Sequence, residues 1–244
     1  MNAAILLSGG VGTRITSDIP KQYIRVNGHM MVTVSLRTLW MAPQVDAVCV
    51  VAAPAWQEEI KNDAISGEQT GEKPLWFAEP GKNRQLSIWN GLQRVLRERG
   101  SLSKDPASAP DTVFVHDAAR PYLSQTLIDA CFAALPGHDG VLPVLPMKDT
   151  VYESRDGRTI TRLLDRSCIF AGQAPELFLL DKYVAANQAL LPDRILAING
   201  STEPAILAGM DIAMIPGDEK NSKVTTDADL KKYRSANESE RSRR

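Results

Sequence analysis

The chain has 244 residues, a formal net charge of -1 and 43% hydrophobic residues, which suits one globular domain with its own core and excludes a nucleic-acid coat or a membrane-surface binder. Three cysteines, Cys49, Cys131 and Cys168, stand far apart, and the three histidines form no HExxH pair, so neither a disulfide framework nor a zinc site is signalled. The opening MNAAILLSGG lacks the basic n-region and long apolar stretch of a secretory signal, and no run reaches transmembrane length, so a cytoplasmic protein is expected.

In chain order, AAILLSGG reads as a buried strand that breaks at glycine. MVTVSLRTLWMA has helical apolar spacing and stops before Pro43, and VDAVCVVAA is a continuous β-branched run, as in a strand buried on both faces. NRQLSIWNGLQRVLRERG predicts an amphipathic helix with Leu86, Trp89, Leu92, Val95 and Leu96 on one face, ended by Gly100. SLSKDPASAP is a polar loop, DTVFVHDAARP a third strand that runs into an acidic residue, TLIDACFAAL a helix and GVLPVLP a fourth strand. From Met147 the residues alternate on both sides of Asp156-Gly157, a dipeptide suited to a tight hairpin turn, so a β-arm is expected over about 147–166. The chain returns through GQAPELF, a helix near LLDKYVAANQALL, a polar stretch with STEPAILAG and the strand DIAMIPG, and the tail SANESERSRR is expected to fray.

This order predicts an α/β, Rossmann-like, mostly parallel sheet with helices on both faces and a protruding β-arm. A single domain is expected over 1–234, with a frayed tail at 235–244. Trp40, Trp76 and Trp89 read as core packing.

Two stretches carry chemistry. Leu6-Leu7-Ser8-Gly9-Gly10-Val11-Gly12-Thr13-Arg14 leaves the first strand as a glycine loop, with Lys21 seven residues beyond Arg14. A dinucleotide fingerprint fails because Ile15 occupies its third glycine position, and no G-x-x-x-x-G-K-[ST] motif exists. At the carboxyl end of a strand, glycines that admit backbone N–H groups and two cations suit phosphates; an ordinary strand-to-helix turn with solvated basic residues uses the same residue types. In VHDAARP, Asp117 ends an apolar strand, where a bare carboxylate is too costly to bury. It is either a magnesium ligand beside phosphates or the cap of the following turn.

Six segments, in order along nearly the whole chain, resemble the cytidylyltransferase family that makes CDP-linked polyols: GGVGTRITSDIPKQY, PGKNRQLSIWNGL, VHDAARP, MKDTV, LDRSCIFAGQAPELF and NSKVTTDADL. The resemblance implies a nucleotidyltransferase fold and transfer of CMP from CTP to a polyol phosphate, either 2-C-methyl-D-erythritol 4-phosphate or ribitol 5-phosphate, with release of pyrophosphate. It implies that Arg14, Lys21 and Lys223 act on the phosphates, with Gly10 and Gly12 in the phosphate loop. Gly81 and Ser87 would contact the cytosine, and Ala118 would lie near the ribose. Asp117 would bind Mg2+, and Arg120, Thr150 and Arg166 would recognise the acceptor. It also implies a homodimer built through the β-arm, with Thr150 and Arg166 serving the partner's site, and neither a nucleic acid nor a membrane as partner. Ala174 and Glu176 stand where the family usually has threonine and glutamine, and Lys82 stands where an acidic residue is frequent. Two rival readings are a sugar 1-phosphate nucleotidyltransferase using another nucleoside triphosphate and a catalytically silent nucleotide-binding relative.

Overall fold

Alternation along the central strands decides which helices cover which face. The computed structural model describes residues 1–10, 15–65, 73–102 and 110–241. Strand β1 (Asn2–Leu7) is followed by a 3₁₀ turn at Lys21–Tyr23, the short ribbon β2 (Arg25–Val26) and β3 (His29–Met30), and helix α1 (Met31–Met41). Then come β4 (Ala47–Val51), α2 (Pro54–Ile65), β5 (Leu75–Ala78), α3 (Arg84–Glu98), β6 (Thr112–Asp117), α4 (Gln125–Ala134) and β7 (Gly140–Pro146). The remainder runs β8 (Val151–Glu153), β9 (Arg162–Leu164), β10 (Phe170–Gly172), β11 (Glu176–Leu179), α5 (Leu180–Gln188), α6 (Glu203–Leu207), β12 (Ile212–Pro216) and α7 (Asp227–Arg241).

The main sheet has β6, β1, β4 and β5 side by side and parallel, with β11 antiparallel on the far edge of β6. Strand β7 pairs antiparallel with β11 and β10 along one edge and parallel with β12 along the other, since Val141 opposes both Leu177 and Ala213. Ala4, Leu6, Val48, Val50 and Phe114 face one core with Leu36 and Leu39 of α1, Ile60 of α2 and Ile128 of α4. Their neighbours Ala3, Ile5, Cys49, Val51, Val113 and Val115 face the other core with Ile88, Leu92 and Val95 of α3 and Tyr183 of α5. Two-sided burial is why these strands read as continuous apolar runs, and each fully buried Ile, Leu or Val adds about 1.5–3 kcal/mol.

The structure corrects the sequence-based expectations in four places. Helix α3 turns its buried face to Ile88, Gly91, Leu92 and Val95, with Leu86, Trp89 and Leu96 at its margins. Gly91 sets that rotation, because a Cβ there would lie 2.9 Å from Ile5 Cγ2; the helix lies too close to the sheet for a side chain. Past Glu98 the chain continues as a 3₁₀ turn over Arg99–Leu102, so Gly100 does not end it. Helix α2 and the four-residue strand β5 were not expected; both are too short or too polar to show a clear period. The arm is a hairpin, but Val151 to Glu153 pair with Leu164 to Arg162 around a longer loop, not a two-residue turn. The Asp156 carboxylate organises it by accepting from the Arg158 and Thr159 N–H groups at 2.9 and 2.8 Å. Helix α7 runs Asp227–Arg241, and the Asn27 side chain donates to the Asn237 carbonyl at 2.9 Å.

Candidate active site

The strand register brings the two motif stretches to one edge. Leu7, the last residue of β1, lies opposite Val51 on one side and Asp117 on the other, so Ser8-Gly9-Gly10 and Asp117 leave the sheet together at its carboxyl end. That is where an open α/β sheet offers a ligand crevice. A cleft of about 610 Å³ opens there, lined by Ser8, Gly9 and Gly10, Lys21, the turn Pro80–Arg84, Ser87, Asp117, Ala119 and Lys223.

Each wall has a local cause. The Ser8 carbonyl accepts from Gln22 Nε2 and the Tyr23 hydroxyl, both at 2.7 Å, and the Gly10 carbonyl accepts from Gln22 Nε2 at 2.7 Å. Tyr23 is itself fixed by stacking on Trp56 with ring centroids 4.3 Å apart. Gly9 packs against the opposite wall, where a Cβ would meet Pro80 Cβ at 2.3 Å. In that wall, Asn83 caps α3 by accepting from the Leu86 N–H at 2.8 Å. The Ser87 hydroxyl accepts from the Gly81 N–H at 3.0 Å and donates to the Asn83 carbonyl at 2.9 Å.

Asp117 is the electrostatic centre. Arg84 donates to its Oδ1 from Nη2 at 2.9 Å and from Nε at 3.3 Å, and Lys223 Nζ donates to Oδ2 at 2.8 Å. Burial by itself would raise the carboxyl pKa, but the Arg84 guanidinium and the Lys223 ammonium overcome it and hold the group well below the usual carboxylate range. Lys21 lies alongside, its Nζ donating to the Val224 carbonyl at 2.7 Å. Among the described residues that line the cleft, Lys21, Lys82, Arg84 and Lys223 stand against the single carboxylate of Asp117, leaving a positive basin for an anionic ligand.

Beneath it, His116 is fully buried and its Nε2 donates to the Arg120 carbonyl at 3.0 Å, which leaves Nδ1 unprotonated and without a hydrogen-bond partner. Burial pushes its pKa down to about 4, so the ring is a neutral structural group. Glu176, where the family usually has glutamine, is also buried; burial raises its carboxyl pKa, opposed by nearby Arg84. Ala174 contributes its carbonyl, which accepts from Asn221 Nδ2 at 2.7 Å, a bond indifferent to the side chain at 174.

Of the residues singled out from sequence, Gly10, Lys21, Gly81, Ser87, Asp117 and Lys223 converge on this cleft. Gly12 and Arg14 lie outside the described residues. Ala118 packs into the core with its N–H donating to the Leu7 carbonyl at 2.9 Å, and Ala119 lines the cleft in its place. Arg120 donates from Nη1 to the Asn221 carbonyl at 2.7 Å and holds its Nε 4.0 Å from Asp117 Oδ2. Thr150 and Arg166 are exposed at the foot of the arm, away from the cleft lining, and Arg166 donates to the Lys148 carbonyl at 2.8 Å. Arg84 and Gln22 were not singled out. Arg84 stands inside the quoted PGKNRQLSIWNGL segment as the first residue of α3, where an arginine at a helix N-terminus is unfavourable for the dipole and so points to an anionic partner.

The family model for "2-C-methyl-D-erythritol 4-phosphate cytidylyltransferase" (IspD) matches residues 2–236. A protein of that name from Lachnospira eligens is 31% identical over 234 residues, which cover 94% of this chain and 96% of the relative. A "bifunctional enzyme IspD/IspF" from Maricaulis maris is 32% identical over 234 residues, and the chain spans about half of that relative's length, 55%. The crystal structure of the Francisella tularensis 2-C-methyl-D-erythritol 4-phosphate cytidylyltransferase shares the fold with a TM-score of 0.74 at 24% identity, over 97% of this chain and 99% of that one. A 4-diphosphocytidyl-2C-methyl-D-erythritol synthase structure from Anaerococcus prevotii has a TM-score of 0.75 at 21% identity, over 96% and 95%. With the family model matching nearly end to end over a cleft built from the same motifs, the chain belongs to the 2-C-methyl-D-erythritol 4-phosphate cytidylyltransferase family of CTP-dependent nucleotidyltransferases.

Proposed function

We propose that this protein transfers CMP from CTP to 2-C-methyl-D-erythritol 4-phosphate and releases pyrophosphate. The observation that carries the proposal is the cleft in which Lys21, Arg84 and Lys223 surround one ionised carboxylate at the carboxyl edge of the sheet. The attacking group, a phosphate oxygen of the acceptor, is already ionised at neutral pH and needs no general base. The cleft fits that requirement: no histidine stands among its described lining residues, and the depressed pKa of Asp117 makes it a poor proton acceptor. What the reaction demands is relief of repulsion between a phosphate dianion and a triphosphate. Arg14, Lys21 and Lys223 supply it by stabilising the charge that develops at the α-phosphate.

Gly10 and Gly12 admit the phosphates, Gly81 and Ser87 shape the base side, and Ala118 holds Ala119 at the ribose side. The proposed reaction uses an Mg2+ ion. Asp117 would hold that ion, which when bound neutralises phosphate charge. Arg120, Thr150 and Arg166 recognise the acceptor. The arm exposes Tyr152, Ile160 and Leu163, an apolar surface that supports a homodimer in which Thr150 and Arg166 serve the partner's cleft. Among the described residues no helix is long and apolar enough to cross a membrane, and a cytoplasmic reaction is part of the proposal.

Magnesium-dependent pyrophosphate release tests this, with methylerythritol 4-phosphate and ribitol 5-phosphate compared under CTP, UTP and GTP. Release with CTP and methylerythritol 4-phosphate is expected. Release with ribitol 5-phosphate alone would move the acceptor, a preference for UTP or GTP would favour a sugar 1-phosphate nucleotidyltransferase, and silence throughout would favour a non-catalytic relative.

A further inference from the structure

Lys223 is carried by an irregular segment, residues 217–226, between β12 and α7. Nothing in local secondary structure fixes such a segment, yet its lysine has to hold one direction to act on a transferring phosphoryl group. Its anchors therefore decide where the ammonium points.

The anchors lie in the break between β10 and β11. Gln173 is buried, and both ends of its amide are used by one residue: Nε2 donates to the Asp218 carbonyl at 3.1 Å, and Oε1 accepts the Asp218 N–H at 3.0 Å. This reciprocal pair reproduces with a side chain the contact one strand makes with another. Its closeness explains the glycine beside it, since a Cβ at Gly217 would lie 2.5 Å from Gln173 Oε1. The Gly217 N–H continues the ladder to the Val144 carbonyl at 2.8 Å. Further along, Asn221, fully buried, donates to the Ala174 carbonyl at 2.7 Å, and the Val224 N–H donates to the Ala119 carbonyl at 2.8 Å. The same segment touches the foot of the arm through Lys148 and Glu219. Those side chains are 71% and 66% exposed, so that pair holds little.

We propose that Gln173 is the positioning residue for Lys223, its buried amide clamping both polar groups of the Asp218 backbone and so fixing the segment that aims the ammonium into the cleft. This rests on the reading of Lys223 as a cation of the transfer step. The clamp needs a donor and an acceptor at one reach: alanine has neither, and glutamate keeps the acceptor while setting a carboxylate against the Asp218 carbonyl.

The test compares Gln173→Ala, Gln173→Glu and Lys223→Met with the wild type. It reads kcat and KM for CTP from about pH 8 down to pH 6, and backbone hydrogen exchange in the protein without substrates. Gln173→Ala is expected to speed exchange across 217–224 while leaving β6 and α3 unchanged, and to lower kcat about 10- to 100-fold, the penalty of a misplaced group, with KM for CTP nearly unchanged. Gln173→Glu should gain on the wild type as pH falls, because a buried carboxyl with a raised pKa takes up a proton and donates to the carbonyl again. Unchanged exchange, or faster exchange with unchanged kcat, would overturn the proposal. Should Gln173→Ala not fold, a flat pH ratio for Gln173→Glu overturns it alone. Normal turnover in Lys223→Met would overturn the role of Lys223 itself, a separate result from failure of the clamp.

Discussion

Replacing Lys223 by methionine removes one charge while keeping most of the stem, and the structure gives different magnitudes for its two consequences. In the folded protein, Nζ makes a charge-assisted bond of 2.8 Å to Asp117, whose side chain is only 10% exposed. Such a bond contributes about 1.5–3 kcal/mol when shielded from water. Lys223 is 37% exposed and Arg84 still holds the other carboxylate oxygen, so screening reduces the loss to about 1 kcal/mol. In a chain of 244 residues that lowers Tm by about 2–4 °C, leaving the enzyme folded at assay temperature. Under the proposed function the same cation would meet charge that grows as the α-phosphate is attacked, and removing one preorganised donor of this kind is expected to lower kcat about 10²- to 10³-fold. Pyrophosphate release at saturating CTP and acceptor, with thermal melts of the same preparations, separates the two. A kcat within tenfold of wild type would refute the reasoning, and so would a fall in Tm above about 10 °C, which would make Lys223 a structural residue.

Arg84→Met should destabilise the fold by about 2 kcal/mol, less than a fully buried pair because Arg84 is 31% exposed and Lys223 remains; in urea denaturation its effect should be non-additive with Asp117→Asn, and strict additivity would show that the two do not act as a pair. Gly81→Ala places a Cβ 2.3 Å from Leu86 Cβ and 2.9 Å from the Ser87 backbone nitrogen, so the turn must open, at about 1–3 kcal/mol and with loss of CTP binding. Gly10→Ala meets nothing within 4 Å and should leave stability within about 0.5 kcal/mol; equal effects of the two in thermal melts would contradict the cleft geometry. His116 has its folded pKa depressed to about 4 while the unfolded value is about 6.5, so the unfolded state takes up the proton first. Its contribution is fully present above the unfolded value and is lost as pH falls from about 6.5 toward 4, by an amount on the order of 2–3 kcal/mol. His116→Gln, which can still donate to the Arg120 carbonyl, should flatten the stability profile in that window, and an unchanged slope would show that the ring is not held neutral.

Sequence alone determined the elements whose signal is local. The stretches 3–7 of β1, 47–51 of β4 and 113–115 of β6 are continuously apolar because both faces of the strand are covered, and the glycines after Leu7 mark where backbone has to approach a partner. Gly10, Lys21 and Asp117 could be singled out from the glycine loop and the strand-end aspartate themselves, whereas Gly81, Ser87 and Lys223 came from segments that resemble the cytidylyltransferase family. What only the tertiary structure decided is which residues meet across long separations. Asp117 is 33 residues from Arg84 and 106 from Lys223, and no periodicity records that both point at one carboxylate. The rotation of α3 follows from how closely Gly91 lets the helix approach Ile5, and the Asp218 backbone in the segment that carries Lys223 is met by the Gln173 side-chain amide, 45 residues away. A short motif specifies the chemistry available at a point on the chain. The direction in which that chemistry points is set by packing between elements, which depends on the shapes of residues far apart in sequence.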